Sequence, residues 1–323
     1  MNSEILSETN IDSKQLNVHY HRTCDCASSH INCLSAKEWI KDQLGVWTFY
    51  YGSRDIRDKE KHPATYPISL ASRIISLFTH RGELVIDPFV GSGTTLVAAK
   101  DLDRNAIGFD INESYIDLCM TRLTQTTLSL SDEPSIQMAM LDDARNIPQY
   151  VKPGTVSLIL TSPPYANLLN RKRLNKSRRT RQNNQYLKVE QYSQKPEDLG
   201  TLSIADYELA LSEIYAGLLP LLKEKGHCVI NVADMWWENE RVPIHLYVIR
   251  ALEKVGYKLR NTIIWDRTNI VNQIGIFGWP SNYITMGTTF EYILDFWKPP
   301  QDISQEKSLA PVNEQDIHKG GID

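Results

Sequence analysis

The chain has 323 residues, 41% of them hydrophobic and 23% charged, which suits one large α/β domain with an insertion or two small domains. Its 35 Lys and Arg against 39 Asp and Glu give a formal net charge of -4, which excludes a uniformly basic coat for nucleic acid but not a local basic patch. No run of 18 apolar residues and no basic-then-apolar leader is present, so a membrane span and a signal peptide are not expected and the cytoplasm is the expected location.

Residues 1–30 are polar, lack steady periodicity and read as a flexible leader. The leader holds Cys24 and Cys26, with Cys33 just beyond it and His19, His21 and His30 nearby. The Cys-x-Cys spacing differs from the usual Cys-x2-Cys knuckle and no second pair follows, so no metal is expected. Five cysteines in all, with Cys119 and Cys228, make a poor disulfide framework.

Residues 36–43 read as a short helix capped by Ser35, with Glu38 completing a capping box. The aromatic run Val46 to Tyr51 reads as a strand or a packed loop. His62-Pro63-Ala64-Thr65-Tyr66-Pro67 is extended by its two prolines. Ser69 to Thr79 follows as an amphipathic helix with Leu70, Ile74, Ile75 and Leu77 on its buried stripe.

An alternation of short apolar strands and helices begins at Glu83. The expected strands are 83–86, 105–109, 137–140, 156–160, 228–232, 259–265 and 290–297. Helices are expected over 95–102, 113–124, 204–223 and 244–254. The pattern specifies an α/β domain with a mainly parallel sheet, whose ligand groups belong at the carboxyl ends of the strands. Residues 166–203 interrupt it as an insertion, and 299–323 read as a flexible tail.

Two segments carry chemistry. Asp87-Pro88-Phe89-Val90-Gly91-Ser92-Gly93-Thr94-Thr95 joins a strand to a helix, and Gly91 and Gly93 let backbone turn against a ligand. A dinucleotide loop would carry a third glycine where Leu96 stands, and a P-loop would carry a lysine before Thr94-Thr95. The loop alone therefore points to nucleoside or nucleotide binding. Asp110, at the next strand end, is placed to accept from ribose hydroxyls, and Asp143, one strand further, to face an adenine amino group.

The second segment, Thr161-Ser162-Pro163-Pro164-Tyr165, ends the most apolar strand. Its prolines fix φ and leave carbonyls as immobile acceptors. The Ser162 hydroxyl and the Pro163 carbonyl can hold both protons of an amino group, while Tyr165 can stack on a base withdrawn from a duplex. The plain alternative is that Pro-Pro ends a strand and Tyr165 packs on the core.

These residues together resemble the DNA amino-methyltransferases of bacterial restriction–modification systems. The resemblance covers roughly residues 31–298. It implies a Rossmann-like methyltransferase fold with a seven-stranded sheet and S-adenosyl-L-methionine as cofactor, held by Thr65, Asp87, Phe89, Gly91, Gly93, Thr94, Asp110 and Asp143. It also implies catalysis by Ser162, Pro163, Pro164 and Tyr165. The Ser-Pro-Pro-Tyr form is similar to that of the cytosine-N4 enzymes, with adenine N6 as the alternative. No Pro-Cys motif of the cytosine-C5 enzymes is present. The cofactor motif precedes the catalytic one, the reverse of many Ser-Pro-Pro-Tyr enzymes, so the recognition region cannot be placed by analogy. A cognate restriction endonuclease is implied as a functional partner; monomer and homodimer both stay open.

For double-stranded DNA, Arg171, Lys172, Arg173, Lys176, Arg178, Arg179 and Arg181 form an acid-free run suited to phosphates. Asn183, Asn184, Gln185 and Tyr186 are suited to base edges. Further recognition candidates lie in 47–61 and 267–285, and Trp236-Trp237 is read equally as pocket wall or core.

Overall fold

The computed structural model describes residues 15–27, 29–56, 66–125, 134–166, 198–237, 240–269, 278–279, 283–284 and 288–300, without the side chains of 236, 237, 278, 279, 283 and 284. Its elements in chain order are α1 (Ala36–Asp42), β1 (Val46–Thr48), α2 (Ser53–Ile56), α3 (Ile68–Phe78), β2 (Leu84–Asp87), α4 (Thr94–Asp101), β3 (Asn105–Asp110), α5 (Glu113–Thr124) and β4 (Gln137–Leu141). After β5 (Val156–Thr161) come α6 (Ile204–Leu218), β6 (Leu222–Val232), β7 (Met235–Trp237), β8 (Glu240–Val242), α7 (Ile244–Lys254), β9 (Lys258–Asp266), β10 (Gly278–Trp279), β11 (Tyr283–Ile284) and β12 (Phe290–Trp297).

The main sheet runs β1-β9-β12-β6-β5-β2-β3-β4. Only β12 is antiparallel to its neighbours β6 and β9. The chain builds β2, β3 and β4 outward, then returns to lay β5 on the other side of β2. The reversal point between β2 and β5 is where an open α/β sheet leaves a crevice at its carboxyl edge.

Side-chain alternation along the strands supplies two core layers. Ile86, Ile107, Ile159, Ile230 and Leu294 face one side with α6 and α7; Val85, Ala106, Leu158, Val229 and Ile293 face the other with α3 and α4. Burying both faces explains why these strands read as continuous apolar runs.

The sheet has eight strands rather than seven. The extra one is β1, which adds a parallel edge to β9 through Val46–Ile264 and Trp47–Trp265. The helix expected to reach Lys223 stops at Leu218 because Pro220 lacks the donor to continue it. Conversely, β6 starts six residues before the expected Cys228. A register shift against β5 and a left-handed Lys225 (φ 60°) absorb its polar start. The capping box at Ser35 and Glu38 forms as expected.

Residues 15–27, assigned to the leader on sequence, lie along the amino ends of the strands. Leu16 N donates to Tyr150 O at 2.8 Å, Asn105 Nδ2 to His19 O at 2.8 Å, and Thr23 N to Arg81 O at 2.8 Å. The segment spends its polarity on backbone pairing, so polar composition alone hid its attachment.

Gly93 caps α4 in a left-handed conformation (φ 83°), and a Cβ there would stand 2.3 Å from Cys119 Sγ on α5. Gly93→Ala is therefore expected to cost about 2 kcal/mol or more in urea unfolding. An unchanged midpoint would mean that α5 does not press on this turn.

Candidate active site

A cavity of about 340 Å³ opens at the carboxyl edge of the sheet, over the β2–β5 reversal. Its walls bring together the two segments singled out in the sequence: Asp87 to Ser92 and Thr94 on one side, Ser162 to Tyr165 on the other. Asp110 and Asp143 close it at the ends of β3 and β4.

The join is made by Asp87. This buried carboxylate accepts from Thr161 Oγ1 on β5 at 2.5 Å, from Thr95 Oγ1 on α4 at 2.5 Å and from Phe89 N at 3.1 Å. Thr95 is in turn hydrogen-bonded to Tyr66 Oη at 2.5 Å, which ties in the chain before α3. Burial pushes the Asp87 carboxyl up to about 6, opposed by these donors.

Asp110 holds the glycine loop from its other side. It accepts from Gly91 N at 3.0 Å and Asn112 N at 2.8 Å. Burial raises its carboxyl to about 6 as well. The Gly91 amide, which a phosphate would need, is thus already used, and acids flank the loop. A phosphate ligand is disfavoured here and a nucleoside with a positive charge is favoured.

Several assignments change on the structure. Gly93 does not line the cavity; its missing side chain makes room for Cys119. Asp143 lines the cavity, but its carboxylate also accepts from Arg145 N at 2.8 Å and pairs with the Arg145 guanidinium at 2.9 Å. Tyr165 Oη accepts from Ala233 N at 3.1 Å, pinning the Ser162–Tyr165 segment to the end of β6. Trp47 and Phe49 are core residues under the Arg73 guanidinium, not base readers. Arg54 pairs with Asp101 at 2.5 Å. Thr65 and Arg171, Lys172, Arg173, Lys176, Arg178, Arg179 and Arg181 lie outside the described residues.

Other residues of the site carry weak sequence signals. Arg122, buried on α5, donates to Ser92 O at 2.8 Å, Ser92 Oγ at 2.9 Å and Thr94 Oγ1 at 3.1 Å, and so supports the loop from beneath. A lone arginine among Leu118, Cys119 and Leu123 was its only trace. At the far end of the cavity, Asn231 Nδ2 donates to Glu291 Oε2 at 2.6 Å, and Glu291 also pairs with Arg267. Tyr51 lines the same end, its hydroxyl pushed up to about 12 by burial.

The model of the DNA methylase family N6_N4_Mtase matches residues 5–121 and 156–319. The chain belongs to this family. It is similar to the Type II methyltransferase M.MthZI of Methanothermobacter thermautotrophicus, 38% identical over 109 residues, which is 33% of this chain and 29% of that protein. It is also similar to the Type II methyltransferase M.HpaI of Haemophilus parainfluenzae, 40% identical over 78 residues, 24% of this chain and 25% of that one. The matched stretches thus span under a third of these relatives' own lengths. Among solved structures, TrmN from Thermus thermophilus aligns over 75% of this chain and 52% of its own, at 18% identity and a TM-score of 0.45. No helix among the described residues is long and apolar enough to cross a membrane.

The family implies S-adenosyl-L-methionine as cofactor, and the residues present fit it. The wall is rich in acids (Asp87, Asp110, Asp142, Asp143, Asp198, Glu291) and poor in free cations, which suits a sulfonium. Asp110 keeps lone pairs beyond those taken by the two amides, enough for ribose hydroxyls.

The two raised carboxyls set a pH dependence. Cofactor affinity should rise with pH through about 6 as Asp110 ionises, then level off, and Asp110→Asn should weaken binding and flatten the rise. Apo-protein stability should move the other way. Folded-state values above the ordinary carboxylate range near 4 favour the fold at low pH, and that gain is lost as pH rises from about 4 through 6. Calorimetric titration and urea unfolding across that window measure both. A pH-independent affinity would remove Asp110 from cofactor binding.

Proposed function

We propose that this chain is a site-specific DNA amino-methyltransferase that moves a methyl group from S-adenosyl-L-methionine to N4 of a cytosine flipped from the duplex. The observation that carries the proposal is the single cavity in which the Asp110-braced glycine loop and Ser162–Tyr165 face each other across Asp87. Bound there, the cofactor supplies a methyl group on a positively charged sulfur.

The chain's own residues do the rest. Ser162 Oγ and the Pro163 carbonyl accept hydrogen bonds from the two amino N–H groups, drawing the nitrogen out of conjugation so that its lone pair is free to attack; one N–H proton is released to water once the methyl group has moved. The Tyr165 ring offers a stacking face for the extruded base, and its hydroxyl contact with Ala233 N keeps that face in place. No covalent nucleophile is required. Neither Cys119 nor Cys228 lines the cavity, and burial raises both thiols, Cys119 to about 12.

Ser at the first position of the motif supports cytosine N4; adenine N6 is the alternative, since a hydroxyl accepts from either amine. The basic run 171–181 is assigned to phosphate contact. The described chain leaves just after Ala166, beside Tyr165, and returns at Asp198, itself a cavity residue. That both flanks of the undescribed stretch adjoin the cavity, through Tyr165 and Asp198, supports this assignment. A restriction endonuclease as functional partner belongs to the same reading, as do the assigned roles of Thr65, Phe89 and Thr94 at the cofactor.

Incubation of the protein with labelled cofactor and unmethylated DNA, followed by nucleoside mass spectrometry, should place label in N4-methylcytosine. Label in N6-methyladenine would overturn the cytosine assignment, and no labelled base would overturn the activity. Tyr165→Ala should lower kcat roughly a hundredfold with cofactor affinity kept within a few-fold. Replacing Arg178, Arg179 and Arg181 by Gln should make the log–log salt dependence of DNA affinity shallower by about 2–3. An unchanged slope would place the phosphate contacts elsewhere.

A further inference from the structure

At the end of the sheet opposite the cavity, four metal-ligand side chains converge. Cys24, Cys26 and Cys33 come from the amino-terminal segment, and His80 from the turn between α3 and β2. Cys33 Sγ lies 3.5 Å from Cys24 Sγ and 3.5 Å from Cys26 Sγ. His80 Nδ1 lies 3.3 Å from Cys24 Sγ and 3.8 Å from each of the other two sulfurs.

These five separations match edges of a tetrahedron that one ion would fill, and all four ligand atoms lie within 4.8 Å of one another. Zinc bound at ~2.3 Å to sulfur and ~2.05 Å to nitrogen requires sulfur–sulfur edges of about 3.8 Å and sulfur–nitrogen edges of about 3.5 Å. All five observed separations fall within about 0.3 Å of those values. The cysteines are free, and two equal 3.5 Å separations from Cys33 single out no disulfide pair. An iron–sulfur cluster would spread its ligands over several metal atoms rather than around one point. Three soft thiolates and an imidazole favour zinc over hard, oxygen-seeking cations.

The surroundings are arranged for the same purpose. Arg81 N–H points at Cys33 Sγ at 3.4 Å, as a donor to a thiolate would. Asn32 takes a left-handed conformation (φ 49°) between Ile31 and Leu34, whose backbones pair at 2.9 and 3.0 Å, and this turn brings Cys33 back towards Cys26. The Asn32 side chain donates to Leu77 O, fixing the turn on the end of α3. His80 N donates to Glu83 Oε2 at 2.8 Å, which sets the turn that presents the imidazole.

The segment also needs such a tie. Among the described residues between 15 and 35, Val18 is the one buried aliphatic or aromatic side chain, with Leu16, Tyr20 and Leu34 partly covered. That little apolar area does not offset the entropy of ordering some twenty residues. It nevertheless spans the amino ends of β2, β3 and β6: Asn105 Nδ2 donates to His19 O, and Lys223 Nζ donates to Tyr20 O at 3.2 Å. It passes so close over Gly82 (φ 79°) that a Cβ there would meet His21 O at 2.6 Å.

We propose that Cys24, Cys26, Cys33 and His80 bind one structural zinc ion that fastens the amino-terminal segment to the amino edge of the sheet. Four protein ligands complete the sphere and leave no position for a reacting water, so the ion has no part in methyl transfer. The sequence reading missed the site because it looked for the fourth ligand among His19, His21 and His30, whereas the fold brings His80 from 47 positions beyond Cys33.

Elemental analysis of the full chain, purified with thiols reduced and no chelator, should give about one zinc per chain. Chelator-stripped wild-type protein should take up cobalt(II) with the thiolate charge-transfer and intense d–d bands of a tetrahedral site, and zinc should bleach them. Stripped protein should be cut by protease between residues 15 and 35 and protected when zinc returns. Cys33→Ser should lower bound zinc to under about a fifth of the wild-type level. Cofactor affinity should stay within about twofold on stripping, because the cavity lies at the other end of the sheet. The proposal is overturned if stripped, reduced wild-type protein shows neither cobalt bands nor zinc uptake, or if two of these cysteines are isolated as a disulfide in metal-free protein. Both readings use wild-type chain, so a variant that fails to fold does not blunt the test.

Discussion

A carboxylate buried where β2 ends meets three donors from three parts of the chain: the amide of Phe89, the hydroxyl of Thr95 and the hydroxyl of Thr161. Taking that charge out of water is costly, and only hydrogen bonds to the ionised form offset the cost. Asp87 therefore stabilises one arrangement of loop, helix and β5 above the alternatives. The parallel β2–β5 pairing places Asp87 and Thr161 at adjacent strand ends, and Tyr66 joins through Thr95. The glycine loop and the Ser162–Tyr165 segment are thus held in register by one buried carboxylate.

The same economy recurs around the cavity. Asp110 spends two acceptor positions on Gly91 and Asn112, and Arg122 spends its donors on Ser92 and Thr94, so the ligand loop is preorganised before any ligand arrives. Asp87 and Asp110 both sit near 6 because they are buried, and their charges favour a cationic ligand while weighing on the empty fold. Binding and folding pull on these groups in opposite directions, as expected where a site is built at the expense of stability.

Much of this was legible in the chain. The ends of α7 and β12 fall where the apolar periodicity puts them, and each acid singled out at a strand end lines one cavity. Such features are local: a strand's period and the residue that follows it are written side by side. What escaped is non-local or masked by polarity. The three-residue edge strand β1 is too short to show a period, which is why Val46 to Tyr51 reads equally as strand or packed loop. The polar start of β6 is given to the preceding helix or left unassigned because Lys223, Glu224 and Lys225 hide a strand that bulges rather than ends. Gly93 reads as a ligand-facing glycine, yet its constraint comes from Cys119 on another helix. Arg122 and His80 act across folds of the chain that no spacing rule reaches.

The central claim is that Asp87 makes the cofactor loop and the catalytic segment one unit. Thr161 does not line the cavity, so it offers a clean probe. Affinity for S-adenosyl-L-methionine should be measured by calorimetry for wild type, Thr161→Val, Asp87→Asn and the double variant. The account predicts that Thr161→Val weakens binding roughly five- to tenfold in the wild-type background and has little effect once Asp87 is Asn, a coupling of about 1 kcal/mol. Equal effects of Thr161→Val in both backgrounds, or none in either, would contradict it.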